Sequence, residues 1–297
     1  MDNIPVYVIS FNRLSVLKKT LEGLLRFVER KNIIIIDNAS DYKPILDYYI
    51  TLVESGITIF YNSKLKSANE LNTIAPFIEK ENARRKCEYY VITDPDISLE
   101  LSNEDLFRVC KFFLNSMSDI NIVGPMLKIT DIPKTYIYRE YAWKRHVEQF
   151  WHKIPQYIIY NKKRVFYQHA LIDTTFGMLR SSTKFKRLHK GVRLYSPYEA
   201  QHLDWYISKE NLTEDQKNYF QSTIKNNISH WNSLSTNKYK FEILKNEERQ
   251  IYVVKDEKIE KYKLPNKSYY LAIRISFWKI NKYLIMKCKN LFKRFFL

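Results

Sequence analysis

Asn32-Ile33-Ile34-Ile35-Ile36-Asp37-Asn38-Ala39-Ser40 is the stretch on which the fold turns. A strand with one wet face alternates polar and apolar side chains, whereas an unbroken apolar run is buried on both faces. That is the habit of parallel sheets covered by helices. The run ends in turn residues at its carboxyl end. Upstream, Ile4 to Ser10 is β-branched and aromatic; after Asn12, an expected helix N-cap, Leu14, Leu17, Leu21, Leu24 and Val28 recur at helical spacing. Downstream, Ile45 to Val53 reads as helix, Ile57 to Tyr61 as strand, Ala68 to Arg85 as helix and Tyr89 to Thr93 as strand. Strand and helix patterns alternate four times, which predicts a doubly wound α/β sheet with its ligand crevice beyond the carboxyl ends of the strands.

Past residue 100 the pattern loosens. Ser102-x-x-Asp105 reads as a capping box ahead of Leu106, Val109 and Phe113, and Ile120 to Val123 as a strand. Residues 134–168 are rich in Tyr, Trp, Lys and Arg without a clean period and read as a lid or acceptor-side insertion. Ala170 to Arg180 reads as one strand and His189 to Pro197 as a loop.

Composition excludes several classes. With 297 residues, 45% apolar and 27% charged, the chain is not disordered, collagen-like or a coiled coil. It has only 5 glycines, and neither G-x-G-x-x-G nor G-x-x-x-x-G-K-[ST] occurs, so Rossmann dinucleotide and P-loop chemistry drop out. Cys87, Cys110 and Cys288 are dispersed and form no C-x-x-C pair, which points to a reducing compartment without disulfide frame or zinc site. The first residues carry no basic and apolar leader, and no run of about 18 apolar residues exists, so neither a signal peptide nor a spanning helix is expected.

The sharpest chemical signal is Tyr89-Tyr90-Val91-Ile92-Thr93-Asp94-Pro95-Asp96, an apolar strand ending in two carboxylates one residue apart. Proline stiffens the turn so that both acids can face one point, which suits a hard divalent cation shared with a diphosphate. The same residues also make an ordinary turn.

Three segments in order, Val6-Tyr7-Val8-Ile9-Ser10-Phe11-Asn12-Arg13, Ile36-Asp37-Asn38-Ala39-Ser40 and Asp94-Pro95-Asp96, resemble the GT-A-type nucleotide-sugar glycosyltransferases. The likeness is to glycosyltransferase family 2 and its bacterial surface-polysaccharide relatives. The resemblance implies a GT-A-like mixed sheet, a UDP-sugar donor, Mn²⁺ or Mg²⁺, and inverting transfer to a glycan or lipid-linked acceptor. It places Ser10, Asn12, Arg13, Asp37, Asn38, Lys66, Asn69 and Asp94 at the donor, with Asp37 on the base. Asp94 and Asp96, joined by His230, would hold the metal. In the family a strand with an aromatic residue and glycine lines the sugar and acceptor pockets, matched by Phe176-Gly177. An acidic base commonly stands in a Glu-Asp pair at a helix start. Here that stretch is His202-Leu203-Asp204-Trp205-Tyr206, so Asp204 is the first candidate base, with Glu199 and His202 behind it. Asp173, Gly177, Trp205 and Tyr206 are the acceptor-side candidates. A carboxylate beside aromatic rings is partly desolvated, which raises its pKa toward a useful range. Each has a plainer alternative: Gly177 as close packing, Trp205 and Tyr206 as core, Asp204 as a cap, His230 as a structural histidine.

Net charge is +17, and residues 261–297 hold ten Lys/Arg with no Asp/Glu. After Pro265, Ile273, Phe277, Ile280, Leu284, Cys288, Leu291 and Phe295 recur at helical spacing opposite Arg274, Lys279, Lys282, Lys289 and Lys293. Such a face is drawn to an anionic bilayer at about 1 kcal/mol per cation. The expected organisation is a catalytic domain over 1–260 and a membrane-associating tail over 261–297, cytoplasmic and peripheral at the inner face of the membrane. A helix packed on the domain is the alternative for the tail. No nucleic-acid-binding motif is present, so no nucleic-acid partner is expected. Two rivals stand beside the transferase. A sugar-nucleotide nucleotidyltransferase would want a glycine-rich loop where Ser10-Phe11-Asn12-Arg13 has none. A non-catalytic basic adaptor would leave the acids at successive strand ends without a purpose.

Overall fold

A computed structural model describes residues 3–62, 74–136, 138–151, 155–225, 250–255 and 258–263. The first half follows the expected alternation: β1 (Val6–Ser10), α1 (Leu14–Leu24), β2 (Ile33–Asp37), α2 (Lys43–Glu54), β3 (Thr58–Tyr61), α3 (Ala75–Arg85) and β4 (Tyr89–Thr93). Ile33 to Ile36 are fully buried, as a strand covered on both faces requires. Full burial of such a side chain contributes about 1.5–3 kcal/mol. The even and odd positions of this run serve different cores: Ile33 and Ile35 pack with Leu17, Leu21 and Leu24 of α1, while Ile34 and Ile36 pack with Tyr7, Tyr90 and Ile78 of α3.

The second half contains β5 (Ile97–Ser98), α4 (Leu106–Ser116), β6 (Ile122–Leu127), α5 (Arg139–His146) with a π-turn over Val147–Trp151, β7 (Gln156–Tyr160), β8 (Lys163–Ile172), β9 (Gly177–Arg180), β10 (His189–His202), a 3-10 turn over Leu203–Tyr206 and α6 (Glu214–Lys225). The main sheet runs β3-β2-β1-β4-β9-β6-β10-β8-β7, with β5 paired to β10. The first four strands are parallel and β9 enters antiparallel to both β4 and β6, giving a doubly wound mixed sheet, as the sequence pattern leads one to expect. A separate hairpin, β11 (Gln250–Lys255) and β12 (Lys258–Lys263), spans the expected 260/261 boundary.

Several local expectations are corrected. Residues 134–168, expected as a lid or acceptor-side insertion, supply α5 and most of the β7–β8 hairpin that extends the main sheet. Its two-residue turn, Asn161-Lys162, has φ of 48° and 65°, the left-handed geometry that matches hairpin twist. The expected strand 170–180 breaks over Asp173–Phe176, so that β8 and β9 take different neighbours. The expected loop 189–197 is strand, because β10 is flanked by both β6 and β8 and neighbour pairing outweighs its polar residues. The capping box does not form. Asp105 makes no side-chain cap, and Ser102 Oγ instead donates to the Glu199 carbonyl. Asn12 is likewise not the N-cap of α1, which follows Arg13.

Candidate active site

The carboxyl ends of β1, β2 and β4 form one rim, and the turns after them carry the residues singled out in sequence. After β1 the chain turns through Asn12 at φ 50°. Its Oδ1 accepts from Asp41 N and Tyr42 N at 3.0 and 3.1 Å, and its Nδ2 donates to Asp41 Oδ1 and Ser222 Oγ at 2.6 and 3.2 Å. Asn12 therefore staples the β1 turn to the β2 turn and to α6. Asp37, at the end of β2, is also engaged. Its oxygens accept from Ser40 N, Ser40 Oγ and Tyr49 Oη at 2.9, 2.5 and 2.9 Å, and Tyr49 reaches Ser10 Oγ at 3.1 Å as well. Asn38 is half-buried and accepts from Asn62 Nδ2 at 3.2 Å. Ser10, Asn12, Asp37 and Asn38 are thus gathered at one rim, where Asp37 braces the turn with both carboxylate oxygens.

The acids after β4 lie at the centre. Thr20 Oγ1 of α1 donates to Pro95 O at 2.7 Å and fixes the Asp94-Pro95-Asp96 turn. Arg13 Nη1 donates to Asp96 Oδ2 at 2.6 Å, and Nη2 binds Asp204 Oδ1. Arg13 is buried beneath the ring of Tyr219 from α6, 4.4 Å from its centroid. Leu203 N donates to Asp96 O at 2.7 Å, which brings the 3-10 turn carrying Asp204 onto the β4 turn. His202 Nδ1 is 3.8 Å from Asp96 Oδ2, and its ring stacks on Trp205 at 5.0 Å. Asp96, His202 and Asp204 each offer a ligand atom within 4.8 Å of the others. Asp96 Oδ1 is buried and has no hydrogen-bond partner among the described residues.

The electrostatics follow from burial and charge. Burial opposes the Arg13 charge, but Asp204 and Asp96 outweigh it and hold the guanidinium protonated. Burial would raise Asp96, yet His202 and Arg13 keep it below the usual carboxylate range. Asp94 is pushed up to about 8 by burial and then by Asp96 and Asp173, because clustered like charges resist joint ionisation. Asp204 is raised by burial against the pull of Arg13.

On the acceptor side the expected residues divide. Asp204 and Trp205 are buried to 1% and 0% exposure. Trp205 lies between His202 and the edge of His146, a core position that offers no face to a sugar. Gly177 is a packing glycine: a Cβ there would stand 2.2 Å from Ile122 Cδ1. Tyr206 donates to Asp131 Oδ1 at 2.5 Å, and Asp173 accepts from Thr175 N at 3.1 Å. Lys66, Asn69 and His230 lie outside the described residues, as does the segment 264–297. Among the described residues no helix is long and apolar enough to cross a membrane.

Sequence reasoning missed Arg193, Tyr219 and Asp215. Arg193 is buried in β10 and donates to Pro125 O and Thr175 Oγ1, both at 2.8 Å; a lone arginine inside Gly191-Val192-Arg193-Leu194 was the available signal. Asp215 accepts from Ser15 N at 2.8 Å and so pins α6 to the start of α1, a pairing 200 residues apart with no local mark.

Glu199 is half-buried and pushed up to about 7, chiefly by burial, with Lys128 pulling it down and Asp131 pushing it up. A carboxyl whose folded pKa exceeds its unfolded value favours folding while protonated, so this contribution is present at low pH and is lost as pH rises through about 7. Glu199→Gln should flatten the pH dependence of stability between about pH 5 and 8 by roughly 1–3 kcal/mol. Chemical denaturation at both ends of that range would detect it, and parallel curves for the two proteins would exclude the shift.

Comparison with known proteins places the chain near several solved folds at low overlap. The mannosyltransferase PcManGT from Pyrobaculum calidifontis, in complex with GDP-Man and Mn²⁺, is 19% identical over 43% of this chain and 36% of its own, with a TM-score of 0.32. GalNAc-T7 with UDP, GalNAc and Mn²⁺ is 12% identical over 74% of this chain and 48% of its own, with a TM-score of 0.41. A cytidylyltransferase from Leptospira borgpetersenii serovar Hardjo-bovis is 10% identical over 61% of this chain and 62% of its own, with a TM-score of 0.33. The chain therefore spans less than two thirds of the length of each. No protein-family model and no curated protein matches it.

Proposed function

We propose that this chain is a metal-dependent glycosyltransferase that moves a sugar, with inversion, from a nucleotide-diphosphate donor to a glycan or lipid-linked acceptor of a bacterial surface polysaccharide. One observation carries the reading: two carboxylates and an imidazole converge within 4.8 Å at the carboxyl rim of β4, and one buried carboxylate oxygen there has no partner among the described residues. An oxygen-rich set with one imidazole fits Mn²⁺ or Mg²⁺. Asp96, Asp204 and His202 would hold the ion, which when bound neutralises the charge developing on the leaving diphosphate.

The chain's own groups do the rest. The Asn12 and Asp37 networks fix the two turns against which a nucleotide would lie, and half-buried Asn38 follows β2 with its N donating to Ser10 O at 2.8 Å. Glu199 lies on β10 three residues before His202, and a carboxyl pushed up to about 7 suits the proton-accepting role there. Asp204, tied to Arg13, belongs with the ion-holding acids. The basic segment after Pro265 supports placement on the cytoplasmic side of an anionic membrane. Its deletion should abolish binding to phosphatidylglycerol vesicles while leaving donor turnover; retained vesicle binding would overturn that placement.

Calorimetric titration of the full chain with UDP, with Mn²⁺ and with EDTA, tests the function, followed by a screen of nucleotide sugars for metal-dependent hydrolysis. Metal-coupled nucleotide binding and release of free sugar are expected. No nucleotide binding would refute the reading, and release of pyrophosphate from a nucleoside triphosphate would replace it with the nucleotidyltransferase.

A further inference from the structure

Resting on the metal reading of the same site, we infer that Arg13 is an internal counter-cation that holds the Asp96–Asp204 pair in the nucleotide-free chain and excludes a divalent ion until it withdraws. Sequence resemblance placed Arg13 at the donor. Its guanidinium lies on the carboxylates that would ligate a metal, with Nη1 2.6 Å from Asp96 Oδ2 and 3.4 Å from Asp204 Oδ2, and Nη2 on Asp204 Oδ1. An ion bound to both carboxylates requires oxygen distances near 2.1–2.3 Å. Arg13 Nη atoms already within hydrogen-bond distance of those oxygens would then face a double positive charge at close range in a buried site, where screening is weak. For those oxygens the two cations compete.

The surroundings supply the latch. Tyr219 of α6 covers the guanidinium at 4.4 Å. α6 is itself fastened over the start of α1, through Asp215 to Ser15 N at 2.8 Å and Ser222 to Asn12 Nδ2 at 3.2 Å. Beside Arg13, a small indentation between α1 and α6 is lined by Ser15, Ile207, Asp215 and Tyr219. Withdrawal toward this side would uncover both acids and carry a positive charge toward Asp215. The inference concerns order of events: α6 and Arg13 set how readily a metal enters, in addition to any role they have once it is bound.

The test measures Mn²⁺ binding to the full chain without nucleotide, by electron paramagnetic resonance of free Mn²⁺, together with melting in EDTA and in Mn²⁺. Arg13→Met should bind Mn²⁺ at least tenfold more tightly than wild type, melt lower in EDTA because two buried carboxylates lose their counter-charge, and recover more on adding Mn²⁺. Tyr219→Ala, which loosens the arginine without removing it, should tighten Mn²⁺ binding severalfold and serves if Arg13→Met does not fold. Wild type binding Mn²⁺ with both variants equal or weaker would overturn the exclusion and leave the metal site standing. Absence of Mn²⁺ binding in all three proteins would overturn the inference and the metal reading together.

Discussion

Replacing Asp96 with asparagine is expected to lower metal-dependent transfer by about 10³-fold or more, roughly 4 kcal/mol of transition-state stabilisation, while the chain still folds. Asp96 is the convergence point of the site. It takes Arg13 on one oxygen, faces His202, and keeps its other oxygen buried with no hydrogen-bond partner among the described residues. Asparagine preserves the shape and the Asp96 carbonyl contact to Leu203 N at 2.7 Å, so the turn is retained. What goes is one negative charge. Arg13 keeps Asp204 as partner, so the change does not strand the guanidinium. The discriminating measurement is kcat/KM for donor turnover at saturating Mn²⁺, with melting as a control and Mn²⁺-coupled UDP binding beside it. Undiminished turnover in a folded variant would remove Asp96 from the chemistry and with it the metal reading.

Gly191→Ala should destabilise the fold by about 3 kcal/mol, at the upper end of ordinary overpacking, and lower the midpoint by roughly 5–10 °C. Gly191 stands opposite Ile122 in the parallel β6–β10 ladder. A Cβ there would lie 2.1 Å from the Ile122 carbonyl oxygen and 2.4 Å from its Cγ2. A flexible side chain could move aside, but a ladder carbonyl cannot shift without breaking its own pairing. The strain falls on β10, the strand that carries Arg193, Glu199 and His202. Calorimetric melting checks it, and a midpoint within about 2 °C of wild type would mean that β6 and β10 separate more easily than the ladder implies.

How much was legible in the sequence varies with range. The first half of the sheet could be read because each of its signals is local: an apolar run for a strand buried on both faces, a three-to-four spacing for a helix, turn residues between. The Asp94-Pro95-Asp96 turn could be read for the same reason. The second half resisted because its strands carry Arg, Gln, His and Lys, and their placement depends on neighbours far along the chain. β10 looks like a loop until β6 and β8 flank it. The hairpin turn at Asn161-Lys162 lacks the glycine that would have marked it. The same limit applies inside the site. The acids could be found by their position at strand ends, but the side of each carboxylate that is already engaged could not.

By itself the sequence determined the doubly wound sheet, the rim at which chemistry would gather, and the acidic turn after β4, because these rest on hydrophobic periodicity and turn chemistry within about ten residues. Tertiary structure alone decided the partners. It set Arg13 between Asp96 and Asp204, bound Asp37 to Ser40 and Tyr49, gave Gly177 to the Ile122 side chain, and closed α6 over the start of α1. A buried charge must find an opposite charge or lose its proton, and which group answers it depends on chain segments brought together only by packing.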